Sequence, residues 1–348
     1  MNLSSFFLPL LSIGNPPNST REDSTSDTMT KVFLTGATGY IGGSVLSLLA
    51  ESHPEYAVRA LVRDSVKGKL VKDAFAKVEI VEGELDDVDT ITREASNADI
   101  VVPHWIQISG ASVLAAGELA DKARSPGEAS DRVFNDLAGI AELRSFIRGY
   151  PGRAVDNYIL QVAADEPTVN TALVFPPIIY GRGAGPVNRR SVQIPSLAKA
   201  TLDRRRGLQV GRGLSRWGNV HVRDVSRLIL RLVEKAAEAK GEEQVWNANG
   251  LYLTGVGEEI PFGEISKLVA AAAADQGLIP TSEVDVVGPE EANSLLPHGA
   301  VLYGTNARSE ALRAKEVLGW APAGENLKDE IPRAVAEEAS AGGERVDL

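Results

Sequence analysis

The chain's 348 residues are 43% hydrophobic, 24% charged and 5% aromatic, a globular profile too long for one ordinary core and unlike a collagen-like or disordered chain. Its 36 basic and 47 acidic side chains leave a net charge of −11, which repels phosphate backbones and argues against nucleic-acid binding. There is no cysteine, which excludes disulfides, thiolate metal sites and a cysteine nucleophile, and His53, His104, His221 and His298 lack the close spacing of a metal site. Residues 1–30 read as a disordered extension. Their apolar stretch over 6–13 is interrupted by Pro9 and falls short of the about 20 apolar residues that cross a bilayer. No basic residue precedes it, as a secretory signal would require, and Met29 stands directly before the first convincing strand. The class predicted is a cytoplasmic protein with a small-molecule substrate and neither a nucleic-acid nor a membrane partner.

A strand is predicted over Lys31–Thr35, followed at once by Gly36-Ala37-Thr38-Gly39-Tyr40-Ile41-Gly42. Ile41, Val45, Leu48 and Leu49 then repeat at helical spacing until His53-Pro54. Strand, glycine turn and helix together predict a dinucleotide site. Glycines at 36, 39 and 42 let backbone approach a pyrophosphate, and the helix N-terminus around Thr38, Tyr40 and Ile41 supplies free N–H groups. A second strand, Ala57–Val62, ends in Arg63, close to the approximately 20-residue offset at which the adenine ribose is read. A guanidinium there pairs with a 2′-phosphate, so NADP(H) is expected over NAD, although Asp64 beside it would repel that phosphate. A third strand is predicted at 78–81, before Gly83-Glu84-Leu85-Asp86-Asp87, and a fourth at 99–102.

These features resemble the short-chain dehydrogenase/reductase superfamily, in its extended NAD-dependent epimerase/dehydratase branch and the NmrA-like relatives. Gly83-Glu84-Leu85-Asp86-Asp87 is similar to that family's segment beside the adenine, which implies cofactor contacts from Glu84 and Leu85. Phe175-Pro176-Pro177-Ile178-Ile179-Tyr180-Gly181 resembles its Arg-Pro-x-x-Ile-Tyr-Gly segment, with Phe175 where arginine is usual. Val220-His221-Val222-Arg223-Asp224-Val225 and Leu318-Gly319-Trp320-Ala321-Pro322 resemble two later motifs, so the resemblance runs over about residues 31–335. It implies an α/β fold, a doubly wound parallel Rossmann sheet with a smaller α/β substrate lobe. The Rossmann part is expected over 31–180, rejoined by about 218–250, and the lobe over 181–217 and 251–340. Each late motif also has a plainer reading: Asp224 as the cap of the helix carrying Val225 and Leu228, Trp217 as lobe packing or a stacking surface, and Arg204-Arg205-Arg206 as a solvated run or a phosphate contact.

The chemistry departs from the family. Its acid/base pair is a tyrosine with a lysine four residues on, sharing one helix face. No tyrosine of this chain has that lysine; the residues four on are Ser44, Ala60, Ala154, Val162, Ala184, Val256 and Ala307. Tyr150 is the nearest positional candidate, with Arg153 three residues later, but Pro151 and Gly152 favour a loop aromatic beside an unrelated arginine. Ser109 and Ser112 resemble the serine-rich strand end that polarises a carbonyl. Only Pro103 separates the runs 99–102 and 104–109, too little for the crossover of about a dozen residues that parallel neighbours require, so a crossover helix is missing there. Either the runs form one long kinked strand or one is displaced. Two functions stay open: an NAD(P)-dependent oxidoreductase or epimerase acting on a small carbonyl, alcohol or sugar-nucleotide, and a non-catalytic NAD(P)(H)-binding sensor. A homodimer is the candidate assembly.

Overall fold

The computed structural model describes residues 29–100, 104–238 and 243–343. The extension predicted over 1–30 falls outside the described residues up to residue 28, as do Val101, Val102 and Pro103. The chain alternates β1 Lys31–Thr35, α1 Tyr40–Ser52, β2 Ala57–Val62, α2 Ser65–Ala74, β3 Glu79–Glu82, α3 Val88–Ser96 and β4 His104–Ile108. A 3-10 turn at Ala111–Ala115 leads into α4 Ala116–Ala120, then β5 Phe134–Asn135, α5 Ile140–Arg148, α6 Ala154–Asp165 and β6 Asn170–Phe175. After these come β7 Ile178–Tyr180, α7 Gln193–Arg204, β8 Gly207–Val210, β9 Asn219–His221, α8 Val222–Ala237 and β10 Leu251–Leu253. The chain closes with α9 Phe262–Asp275, β11 Val284–Val287, α10 Pro289–Leu295, α11 Gly299–Leu302, β12 Ser309–Glu310, α12 Arg313–Leu318 and α13 Leu327–Gly343.

The main sheet is parallel and ordered β3-β2-β1-Ile100-β4-β6-β10, the doubly wound arrangement. Its central strands are buried on both faces and therefore read as apolar runs; Thr171 through Phe175 of β6 are all buried. The fourth strand is a single bridging residue among those described. Ile100 pairs in parallel with Val32 on one side and His104 on the other. Ile100 and His104 are therefore parallel neighbours and not successive residues of one kinked strand.

Helices cover both faces. Val45, Leu46 and Leu49 of α1 meet Val225, Leu228, Ile229 and Leu232 of α8, two apolar stripes at helical spacing in one core with Val32 and Val58. On the other face Leu143 and Ile147 of α5 and Ile159 and Leu160 of α6 pack with Leu173 and Phe175. The smaller lobe pairs β8 with β11 under α7, α9 and α13. One expectation is corrected here, and an open alternative is decided. The predicted lobe segment beginning at 251 opens with β10, which pairs with β6 and extends the main sheet. Trp217 is buried, donates from Nε1 to the Thr305 carbonyl at 2.8 Å and meets Phe262 edge-on, so it is core and offers no stacking surface.

One buried carboxylate ties the segment after β5 to β10 and to the start of α12. Asp136, fully buried, accepts from the Leu253 N–H of β10 at 2.9 Å and from the N–H groups of Leu312 and Arg313 at 2.8 and 2.9 Å. The Arg313 Nε donates to the Asp136 carbonyl at 3.1 Å.

Candidate functional site

The glycine turn is built by close approach. Gly36 takes φ +74°, open to glycine and strained for other residues, and its carbonyl accepts from the Gly39 N–H at 2.8 Å. A Cβ on Gly42 would fall 2.2 Å from the Gly36 oxygen, and one on Gly39 would fall 3.1 Å from it. Gly39 is the N-cap of α1, and no side chain caps the helix. The first-turn N–H groups after Thr38, at Tyr40, Ile41 and Gly42, are thus left to an external acceptor.

A strap from the next segment crosses this turn. The Tyr40 hydroxyl donates to the Gly181 carbonyl at 2.6 Å, the Ser44 hydroxyl accepts from the Ala184 N–H at 3.0 Å, and the Asn188 N–H donates to the Thr38 carbonyl at 3.3 Å. Gly43 and Gly185 touch backbone to backbone: a Cβ on Gly185 would lie 2.7 Å from the Gly43 Cα. The Tyr40 side chain is committed to this contact, and burial lifts its phenol far above the usual range, with Glu330 adding to the rise.

Arg63 stands directly after β2, exposed at the carboxyl edge of the sheet. Asp64, expected as a repelling neighbour, is occupied elsewhere. Its carboxylate caps α2 by accepting from the N–H groups of Val66 and Lys67 at 2.9 and 3.1 Å. The Gly83 N–H donates to the Val62 carbonyl at 3.2 Å, which keeps the ends of β2 and β3 together and sets Glu84 and Leu85 on the same edge. Leu85 is 63% exposed there, a large apolar side chain facing solvent.

At the carboxyl end of β4 the structure gathers a second group. Arg153 donates from Nη1 to the Ser112 hydroxyl and from Nη2 to the Ser109 hydroxyl, both at 3.2 Å, and from Nε to Asp156 at 2.9 Å. Arg153 is thus joined to the two candidate serines rather than to the Tyr150 side chain. Pro151 and Gly152 occupy the centre of a tight turn, closed by the Arg153 N–H donating to the Tyr150 carbonyl at 2.9 Å, which delivers Arg153 to the N-cap of α6. Tyr150 itself is not joined to the serines by any hydrogen bond. Its ring lies 4.9 Å from that of Phe146, and its hydroxyl faces Gly117 of α4.

The late motifs serve packing. His221, not Asp224, caps α8: its Nδ1 accepts from the Arg223 N–H at 3.1 Å. Asp224 already lies inside the helix and instead accepts from the N–H groups of Ala323 and Gly324 at 3.0 and 2.9 Å, holding the segment after Trp320. Arg204 pairs with Asp285 and Glu291, and Arg206 with Asp285 and Glu283, so the arginine run faces carboxylates of its own lobe rather than a phosphate. No group of three metal-ligating side chains occurs among the described residues, and no helix among them is long and apolar enough to cross a membrane.

Burial lowers the pKa of His221, which is wedged so closely that a Cβ on Gly181 would fall 2.2 Å from its Nε2. Burial lowers that of His104 as well. Both favour the neutral ring in the folded state. As pH falls below the unfolded value of about 6.5, the unfolded chain takes up protons first and stability declines through the folded pKa values. His53 works in the opposite sense. Burial pulls its pKa down, but Glu234 and Glu55 outweigh that, so its contribution is present at low pH and fades as pH rises. Urea midpoints between pH 8 and pH 5 should therefore fall toward acid, and His221→Asn, which keeps a capping side chain, should flatten that fall. An unchanged slope would assign the acid sensitivity elsewhere.

Comparison with known proteins agrees with this architecture. The sequence profile of the NmrA-like family matches residues 28–142. An Acremonium protein named oxidase ucsJ is 35% identical over 340 residues, covering 89% of this chain and 97% of its own. An uncharacterised Saccharomyces cerevisiae protein is 25% identical, covering 86% and 97%. Among solved structures, the PbgP3 protein of Burkholderia pseudomallei superposes with a TM-score of 0.60 at 16% identity, over 89% of this chain and 98% of its own. A dTDP-glucose 4,6-dehydratase of Bacillus anthracis, solved with NAD, gives 0.59 at 12% identity, over 90% and 98%. With a relative this similar along nearly its whole length and the family profile across its glycine turn, the chain belongs to the NmrA-like family and shares the fold of an NAD-dependent epimerase/dehydratase.

Proposed function

We propose that this protein is an NAD(P)-dependent oxidoreductase acting on a small carbonyl, alcohol or sugar-nucleotide substrate, with NADP(H) preferred. The observation that carries the reading is the cradle at Gly36, Gly39 and Gly42. Cβ atoms at positions 39 and 42 would crowd the turn, and the uncapped α1 above it fits a pyrophosphate. These glycines with the backbone of Thr38, Tyr40 and Ile41 would hold the cofactor's phosphates, Arg63 a 2′-phosphate, and Glu84 and Leu85 the adenosine end. When bound, the nicotinamide supplies hydride chemistry. The chain's own task is to orient and polarise, and we assign the polarising hydroxyl to Ser109 or Ser112 and the candidate proton donor to Tyr150. The setting we propose is cytoplasmic, with a homodimer as the candidate assembly.

The preference for NADP(H) rests on Arg63, unopposed because Asp64 is engaged as a helix cap. Arg63→Ala should weaken NADPH binding about tenfold and leave NADH unchanged, as expected when one charge-assisted pair is lost. Calorimetry with both cofactors checks this, and equal constants for the two in the parent protein would show Arg63 to be a solvent residue.

A second reading, a non-catalytic NAD(P)(H) sensor, is favoured by the missing tyrosine–lysine pair and by Tyr150 lying against Phe146. The two separate in an assay of NADPH oxidation over small aldehydes, ketones and sugar nucleotides, with Ser109→Ala and Tyr150→Phe alongside. An absent acid/base pair commonly costs about 10²–10⁴-fold, so weak turnover is expected, reduced further by Ser109→Ala. Cofactor binding with no turnover of any compound would support the sensor.

A further inference from the structure

We infer that Arg153 and one of Ser109 and Ser112 form a receptor for a carboxylate on the substrate while the other serine polarises its carbonyl, so that the substrate is an oxo or hydroxy acid rather than a neutral carbonyl compound. The inference rests on the oxidoreductase reading and narrows it. In this cluster the donors outnumber the acceptors. Arg153 spends Nε on Asp156, whose side chain is only 4% exposed, and turns the Nη1–Nη2 edge toward two neutral hydroxyls and, at 3.4 Å, the Gly110 carbonyl. A hydroxyl that accepts from a guanidinium still carries its own proton, so Ser109 and Ser112 each have an O–H to give outward. Asp156, the carboxylate at hand, is already held by the arginine. The Arg153 side chain remains 28% exposed.

An oxygen pair with delocalised charge suits this array, because a planar guanidinium fork matches a carboxylate with two parallel bonds. The charge balance favours a monoanion. Asp156 cancels the arginine, leaving only the partial positive charge of the N-terminus of α6, a 12-residue helix that begins at the next residue. A phosphate dianion would be left largely uncompensated. Position agrees as well, since ligands of open α/β sheets bind beyond the carboxyl ends of the strands, where Ser109 follows β4. Arg153 is thus a specificity residue, with the turn Tyr150–Arg153 as its mount.

The test uses the full chain and does not depend on turnover. Phenylglyoxal modification of Arg153 is followed by peptide mass spectrometry in the presence of 2-oxobutanoate, its methyl ester, or inorganic phosphate. The acid should slow modification at least tenfold at millimolar concentration, with the ester and phosphate much weaker. Equal protection by acid and ester, protection by phosphate alone, or none by any of the three would overturn the carboxylate assignment. In parallel, calorimetric titration with 2-oxobutanoate and its methyl ester should show the parent preferring the acid and a folded Arg153→Lys protein losing that preference while its cofactor affinity stays at the parent value. If the preference survives in a folded Arg153→Lys protein, the arginine is only a clamp between β4 and α6. An inert protein whose Arg153 is nonetheless protected by the acid would refute turnover while upholding the receptor, so the two readings fail separately.

Discussion

Asp136→Ala should produce the largest loss of stability of any single truncation in this fold. The carboxylate serves three backbone N–H groups from two distant segments, and alanine leaves all three in a fully buried site. Each buried donor left without an acceptor costs about 1–3 kcal/mol, so roughly 3–6 kcal/mol is expected even if water enters the space. At about 2 °C or more per kcal/mol for a chain of this size, the midpoint of thermal unfolding should drop by roughly 6 °C or more. Asp136→Asn should cost less. Its one amide oxygen can keep either the Leu253 bond or the Leu312–Arg313 pair, while its NH2 faces the other donors. A thermal midpoint within about 2 °C of the parent for the alanine variant would mean that the segments are held by packing alone.

Gly42→Ala should abolish dinucleotide binding while leaving the protein folded. The added methyl lies 2.2 Å from the Gly36 oxygen and 2.7 Å from its carbon, both backbone atoms, so the turn must open. Loss of two charge-assisted bonds to a pyrophosphate, at about 1.5–3 kcal/mol each, corresponds to at least 10²-fold in affinity. Stability should suffer far less, because alanine is favoured over glycine by about 1 kcal/mol within a helix and offsets part of the strain. Calorimetric titration with NAD and NADP, beside a thermal melt, reads both quantities. Binding within about threefold of the parent for either cofactor would place the phosphate cradle somewhere other than this turn.

What could be read from the sequence was local. β1, the glycine turn and α1 are contiguous, and the apolar run over 32–34, the glycine spacing and the 3.6 period of α1 are visible in any single sequence. The stripe Val225, Leu228, Ile229 and Leu232 was legible for the same reason. Arg153 was not, because the expected partner of a catalytic tyrosine sits four residues on along a helix, whereas here a proline–glycine turn brings an arginine from three residues on to serines 41 and 44 positions away. Such a contact has no local period. The roles of His221 and Asp224 were exchanged because both can cap a helix, and only the start of α8 at Val222 decides between them. The arginine run looked solvated because its carboxylate partners on β11 and α10 lie some 80 residues further along the chain.

The place of Ile100 between β1 and β4 bears on how the sheet behaves as a mechanical object. Elsewhere across its width, neighbouring strands share three to five residues of ladder; at its middle, among the described residues, the join is the Ile100 bridges to Val32 and His104. The hydrogen bonds there run from the Asp99 and Ile100 N–H groups to Lys31 and from the Phe33 N–H to Ile100. The described strands thus form two rafts, one bearing the glycine turn on β1 to β3 and the other bearing Ser109 on β4, with Ile100 between them. Side-chain packing under α1 and α8, which spans Val32, Ala172 and Val174, runs beneath both rafts. The strap from Gly181 to Asn188, anchored on the first raft at Thr38, Tyr40 and Ser44, ties to it the chain that leaves β6 and β7 in the second half of the sequence.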